Sequence, residues 1–78
     1  MTDHEIRTLA AEVMAGIAPE ADLASVGNEE DLREALDLDS MDFLNFVIAL
    51  GERTGRKIPE ADTRRLFTLR GLIDYLGG

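Results

Sequence analysis

Apolar residues recur at helical spacing in three stretches of this chain, and none of them alternates with polar residues as a half-buried strand would. Ile6, Leu9, Ala10, Val13, Met14 and Ile17 share one face of a first helix, predicted from Thr2 to Ala15. Thr2 and Glu5 fit a capping box at its start, Gly16 supplies a C-terminal stop, and Pro19 confirms it. The second long helix is predicted from Ser40 to Arg53 and is apolar nearly all round. Phe43, Phe46, Val47 and Leu50 follow the i, i+3, i+4, i+7 rule and are expected to face the core, while Met41, Leu44 and Ile48 form a stripe on another side. A small domain has little with which to cover both. The exposed stripe then becomes a partner surface or the rim of a pocket; alternatively, the helix is central and covered on most sides.

The connection between these helices, from about Ala18 to Leu38, is long for a compact domain. Leu23, Val26, Leu32, Leu36 and Leu38 are expected to pin it to the core, and Asn28 followed by three acids starts a short helix through Ala35. Beyond the second long helix, Gly51, Thr54 and Gly55 loosen its end, and Arg53 suits its dipole. Ile58-Pro59 opens a short helical piece over Glu60 to Leu66. Thr68 caps a last helix that turns Leu69, Leu72, Ile73 and Leu76 inward, with Gly77-Gly78 as a stop and frayed end. The expectation is an all-α bundle of three long helices and one short one, a single domain over residues 1–78 with a long loop between the first two long helices.

Composition narrows the chemistry. The 78 residues are 45% apolar and 31% charged, which describes a globular domain with a small core. With no cysteine there is no disulfide framework and no thiolate metal site, so any thiol chemistry uses a thiol from elsewhere. The polar start, Met1 to Glu5, is not a signal peptide, and no apolar run approaches membrane-spanning length, so a cytoplasmic protein without membrane insertion is expected. Net charge is −8 and unevenly placed: residues 1–42 hold 12 acids and 2 bases, residues 43–78 hold 4 acids and 6 bases. Such a chain does not bind nucleic acid through its phosphates. It is drawn to basic protein surfaces with the acidic half leading, the plainer alternative being charge that only maintains solubility.

One stretch, Leu36 to Phe46, joins an acidic loop to the apolar second helix through a single serine. Asp39 or Ser40 can cap that helix, and Asp42 sits in its first turn. The Ser40 hydroxyl is thereby expected at an exposed helix N-terminus, where free backbone N–H groups favour a covalently attached phosphate. With no base beside it in sequence, it reads as the substrate of another enzyme rather than as a nucleophile. No catalytic residue is expected: His4 lies near a terminus with no partner at motif spacing. No metal is expected either, because a calcium loop starting at Asp37 fails at Met41, Asp42 and Ile48. Arg64 and Arg65 read as solvated surface.

Asp39-Ser40-Met41 before an apolar helix resembles the Asp-Ser-Leu attachment motif of acyl carrier proteins. Asp22-Leu23 upstream, Ile58-Pro59-Glu60, and Thr68-Leu69 through Ile73-Asp74-Tyr75-Leu76 follow with family-like spacing, so the resemblance covers the whole chain. It implies a discrete carrier whose Ser40 receives 4′-phosphopantetheine from coenzyme A, delivered by a phosphopantetheinyl transferase that recognises Asp39 among other groups. Acyl groups would ride on that arm as thioesters and be presented, by a monomer, to acyl ligases, acyltransferases or synthases of fatty acid, lipid or polyketide-type biosynthesis. Carried over by position, Met41, Leu44 and Ile48 would dock partners, with Asp37, Asp39 and Asp42 steering their basic surfaces. Phe46, Ile48, Leu50, Ile58, Leu66 and Leu72 could open a space for the acyl chain. Asn45, Gly51 and Arg53 depart from the acidic second helix of general fatty acid carriers, Thr54 stands where an apolar residue is common, and Arg56, Lys57, Arg64 and Arg65 make the following surface basic, which points to a specialised carrier. A peptidyl or aryl carrier of the same fold, and an unmodified helical adaptor, are the alternatives.

Overall fold

The structure, a computed structural model, describes residues 1–77. Gly78, half of the expected frayed end, lies outside the described residues; Gly77 is the last residue of a helix.

Helix α1 spans Asp3–Ile17. The Glu5 N–H donates to the Thr2 hydroxyl at 3.2 Å and the Thr2 N–H donates to the Glu5 carboxylate at 2.9 Å, which closes the capping box. The Thr2 backbone N–H, and after it the Thr2 side chain, hold the Glu5 carboxyl below the usual carboxylate range. The helix runs past Gly16, against expectation. It ends where Ala18 donates its N–H to the Met14 carbonyl, because the residue before Pro19 is disfavoured in helical geometry.

A 3-10 turn at Leu23–Ser25 and a one-turn helix α2 at Leu32–Ala35 punctuate the connection. Helix α2 begins later than Asn28, and tertiary bonds explain why. The Asn28 carbonyl accepts the Arg70 N–H at 3.0 Å, its side-chain oxygen accepts Arg7 at 2.6 Å, and Asp31 is extended in a bridge to Thr68. Residues so engaged cannot start a helix, and Asp31 becomes the cap by accepting from the Arg33 N–H. Leu23, Val26 and Leu32 are buried as expected of pins, whereas Leu36 and Leu38 are only half-buried.

Helix α3 covers Ser40–Thr54 and stops at Gly55, whose φ of 70° needs no Cβ to be avoided. The 3-10 helix Glu60–Leu66 and helix α4 at Leu69–Gly77 complete the chain, with Thr68 accepting the Gly71 N–H at 3.0 Å. Helix α1 packs on both α3 and α4. Their facing side chains, with Leu66 of the 3-10 helix, make one core, in which Ile6, Phe46, Leu50, Leu66 and Leu72 are wholly buried. Ile17 and Ile73, assigned to inward faces by spacing, are half-buried at its edge.

Candidate functional site

Ser40 is the first residue of α3 and is exposed. The cap belongs to Asp39, not to Ser40: the Asp39 carboxylate accepts the Asp42 N–H at 2.7 Å, which leaves the serine hydroxyl out of the capping role. The approach to this point is a tight helix exit. Asp37 has φ 53°, the Leu38 N–H donates to the Arg33 carbonyl at 2.8 Å and the Asp37 N–H to the Glu34 carbonyl at 3.4 Å, which is a Schellman ending for α2. Glycine is the usual residue at that position. An aspartate there hides the signal that would reveal the turn in sequence, although Asp tolerates the left-handed region better than most residues.

The loop is held against the bundle by a stack of side chains. Arg33 grips the Asp31 carboxylate with two nitrogens at 3.1 and 2.7 Å and lies 3.7 Å over the Phe67 ring. Phe67 meets Phe43 of α3 edge-on at 5.4 Å. The guanidinium beside Asp31 pulls its carboxyl below the ordinary range, and the carboxylate in turn raises Arg33. Through this stack the segment that delivers Asp39 and Ser40 is anchored on the same helix that follows them.

Along α3 the structure separates the two apolar stripes. Phe43, Phe46, Val47 and Leu50 are buried, while Met41, Leu44 and Ile48 are 61%, 41% and 51% exposed. The exposed stripe starts beside Ser40, with Asp37, Asp39 and Ser40 exposed and Asp42 half-buried at its head. Of the six residues expected to open an acyl space, Phe46, Leu50, Leu66 and Leu72 lie together in one core with Ile58 packed half-buried against it, and Ile48 is exposed. Phe46, Leu50, Leu66 and Leu72 are closed into the core, because the helical spacing that brings them inward also lets them fill the volume. Ile48 and Ile58 instead line a surface cleft of about 610 Å³ with Leu44 and Val47. Glu52, Lys57, Glu60 and Thr63, which also line it, were not anticipated; only proximity in the fold identifies them.

The expected basic surface is smaller than its charge count. Arg56 donates to the Tyr75 and Leu76 carbonyls at 3.3 Å each, Arg65 lies 5.0 Å over the Tyr75 ring, and Arg53 pairs with Glu12 at 3.3 Å. Lys57 and Arg64 are exposed. Among the described residues no group of three or more His, Cys, Asp or Glu side chains is arranged to hold a metal ion, and no helix is long and apolar enough to cross a membrane. His4 is exposed on α1.

Comparison with known proteins places this geometry. The profile of the phosphopantetheine attachment site matches residues 4–76. An acyl carrier protein of Acidothermus cellulolyticus is 31% identical over 78 residues, covering 97% of this chain and 89% of the relative. One of Myxococcus xanthus is 29% identical over 73 residues, covering 86% and 92%. The solved structure of the acyl carrier protein from Enterococcus faecalis superposes with a TM-score of 0.76 at 22% identity, over 97% of this chain and 95% of that one, which supports the fold. With its attachment-site profile spanning nearly every described residue, its relatives matching along most of their length and its bundle shared, the chain belongs to the acyl carrier protein family, whose prosthetic group is 4′-phosphopantetheine.

Proposed function

We propose that Ser40 is the residue that carries the 4′-phosphopantetheine arm, and that the protein presents acyl thioesters on it to partner enzymes. The observation that carries this reading is an exposed serine at the first position of a 15-residue helix whose cap is supplied by its neighbour. The residues fit the group: the first-turn N–H groups favour a phosphate at this end, and nothing in the capping arrangement occupies the Ser40 hydroxyl. When attached, the arm supplies the thiol that a chain without cysteine lacks.

The remaining residues divide the work of recognition. Asp39 fixes the start of α3 and presents its charge to the transferase. Asp37 and Asp42 add negative charge beside it, which speeds encounter with basic partner surfaces. Met41, Leu44 and Ile48 provide a short apolar strip, small enough for partners to be released after each visit. The partners are a phosphopantetheinyl transferase and acyl ligases, acyltransferases or synthases of fatty acid, lipid or polyketide-type biosynthesis, met in the cytoplasm by a monomer. Acids concentrated at the head of α3, and a far end where Arg53 pairs internally, support a specialised carrier over one that serves a general fatty acid synthase.

Incubation with coenzyme A, magnesium and a promiscuous phosphopantetheinyl transferase, followed by intact mass measurement, tests the assignment. A single phosphopantetheine adduct that disappears in Ser40→Ala is expected. A folded wild-type chain that takes no adduct would instead be an adaptor.

A further inference from the structure

We propose that Arg33 is a positioning residue for phosphopantetheine transfer, which acts by fixing the corner that presents the Ser40 hydroxyl. The proposal deepens the carrier reading above and rests on it.

The corner needs holding. Between α2 and α3 the chain turns through Leu36 to Asp39 and delivers Ser40 exposed. Leu36 and Leu38 are only half-buried, so apolar burial pins this stretch loosely. Asp37 sits in the left-handed region at φ 53°, and a residue with a Cβ stays there only where neighbouring contacts impose it. Asp39 caps α3 but is itself part of the exposed turn.

Arg33 supplies contacts on both sides of the serine. Upstream, its carbonyl accepts the Leu38 N–H at 2.8 Å, two residues before Ser40. Downstream, its guanidinium lies 3.7 Å over the Phe67 ring, and that ring meets Phe43 edge-on at 5.4 Å. Phe43 stands three residues after Ser40, about one turn along α3, and is 3% exposed, so it is a firm footing for the stack. Both layers of the stack are framed from outside. The Asp31 carboxylate holds the guanidinium plane through two nitrogens, and the Phe67 carbonyl accepts the Leu32 N–H at 2.7 Å. The chain entering the corner and the helix leaving it are thus registered against one residue.

Registration matters to the transfer. The Ser40 oxygen bonds to phosphorus of coenzyme A, the phosphorus bond to the nucleotide half breaks, and the hydroxyl proton passes to the transferase or to water. The attacking oxygen must lie in line with the breaking bond, and a small misplacement is costly. Charge and geometry make opposite demands on Arg33. It is one of two bases in residues 1–42, so removing it makes the acidic half more acidic. Steering alone would then quicken encounter with a basic partner. A loosened corner slows the chemical step instead.

The test follows transfer from coenzyme A by intact mass, with kcat and KM for the full chain, alongside urea unfolding and amide exchange. In the wild type the Leu38 amide is expected to be protected. Arg33→Gln changes a side chain that is 40% exposed, so the bundle remains folded. It is expected to lower kcat about three- to tenfold with KM within about twofold, and to expose the Leu38 amide while that of Val13 stays protected. Phe67→Leu, which keeps an apolar side chain but no ring face, is expected to do the same, and the double variant to be no slower than the worse single one. Phe67→Tyr, which keeps the ring, is expected to retain the wild-type kcat. Arg33→Lys restores charge without the planar fork and is expected to stay slow. An unprotected Leu38 amide in the wild type, an unchanged or faster Arg33→Gln, full recovery in Arg33→Lys, or a loss confined to KM overturns the positioning role. A wild-type chain that takes no adduct overturns the carrier reading, and this proposal with it; a chain loaded equally well with and without the stack overturns this proposal alone.

Discussion

The two sides of α3 are made of the same kind of residue and have opposite fates. On one side Phe43, Phe46, Val47 and Leu50 are at most 4% exposed; on the other Met41, Leu44 and Ile48 are at least 41% exposed. A monomeric domain gains no stability from apolar groups left in water. The difference teaches that one face of α3 holds the fold, whereas the other, equally apolar, is left exposed next to Ser40, where the proposed docking would use it.

Substitutions on the two faces sharpen or break this comparison. The largest effect belongs to Phe46→Ala, which removes a wholly buried ring and is expected to cost about 3–5 kcal/mol in urea unfolding. Ile48→Ala on the other face is expected to stay within about 0.5 kcal/mol of the wild type. If the two variants lose similar stability, the division between faces is wrong. Leu44→Glu is expected to lower kcat/KM for phosphopantetheinyl transfer about tenfold while leaving the unfolding midpoint nearly unchanged; a matched fall in stability would assign Leu44 to the core instead.

Charge effects are smaller and should follow position. Asp42→Lys at the head of the exposed face is expected to slow transfer about three- to tenfold at low salt, with the gap closing as salt is added. Arg65→Glu, a reversal over the Tyr75 ring and away from that face, is expected to change it less. Equal effects in rate assays across a salt series would remove the steering role from the acidic face. The smallest effect is a pH dependence. Asp31 and Glu5 are both held below the ordinary carboxylate range in the folded chain, Asp31 by Arg33 and Glu5 by Thr2. Their contribution is therefore present above the unfolded carboxylate range and is lost as pH falls through the lowered values. Stability measured by denaturant titration should decline on acidification, and Asp31→Asn should flatten that decline.

Helices were legible where local chemistry decides them. Thr2 with Glu5, Asp39 and Thr68 are short polar residues whose side chains meet backbone N–H groups within the same turn, and all act as caps here. The connection was less legible because distant partners shape it. Asn28 is drawn out of a helix by Arg7 and Arg70, and nothing in residues 28–31 reveals that. Asp37 takes a backbone conformation that its identity does not advertise. The candidate site shows the same divide. Periodicity split α3 into two stripes, but two stripes of like hydrophobicity do not reveal which one water reaches. Nor does periodicity distinguish a filled interior from a hollow one: it turns Phe46, Leu50, Leu66 and Leu72 inward in either case, and here they are wholly buried.

The account turns on where the arm is joined. The chain has two serines, Ser25 and Ser40. Ser25 donates its hydroxyl to the Asp22 carbonyl at 2.8 Å within a 3-10 turn, whereas Ser40 opens a long helix. Fragmentation mass spectrometry of the transferase-treated protein reads the attachment point directly. The account predicts that the phosphopantetheine mass is carried only by fragments containing Ser40 and is retained in Ser25→Ala. An adduct on Ser25, or one that persists in Ser40→Ala, would contradict it.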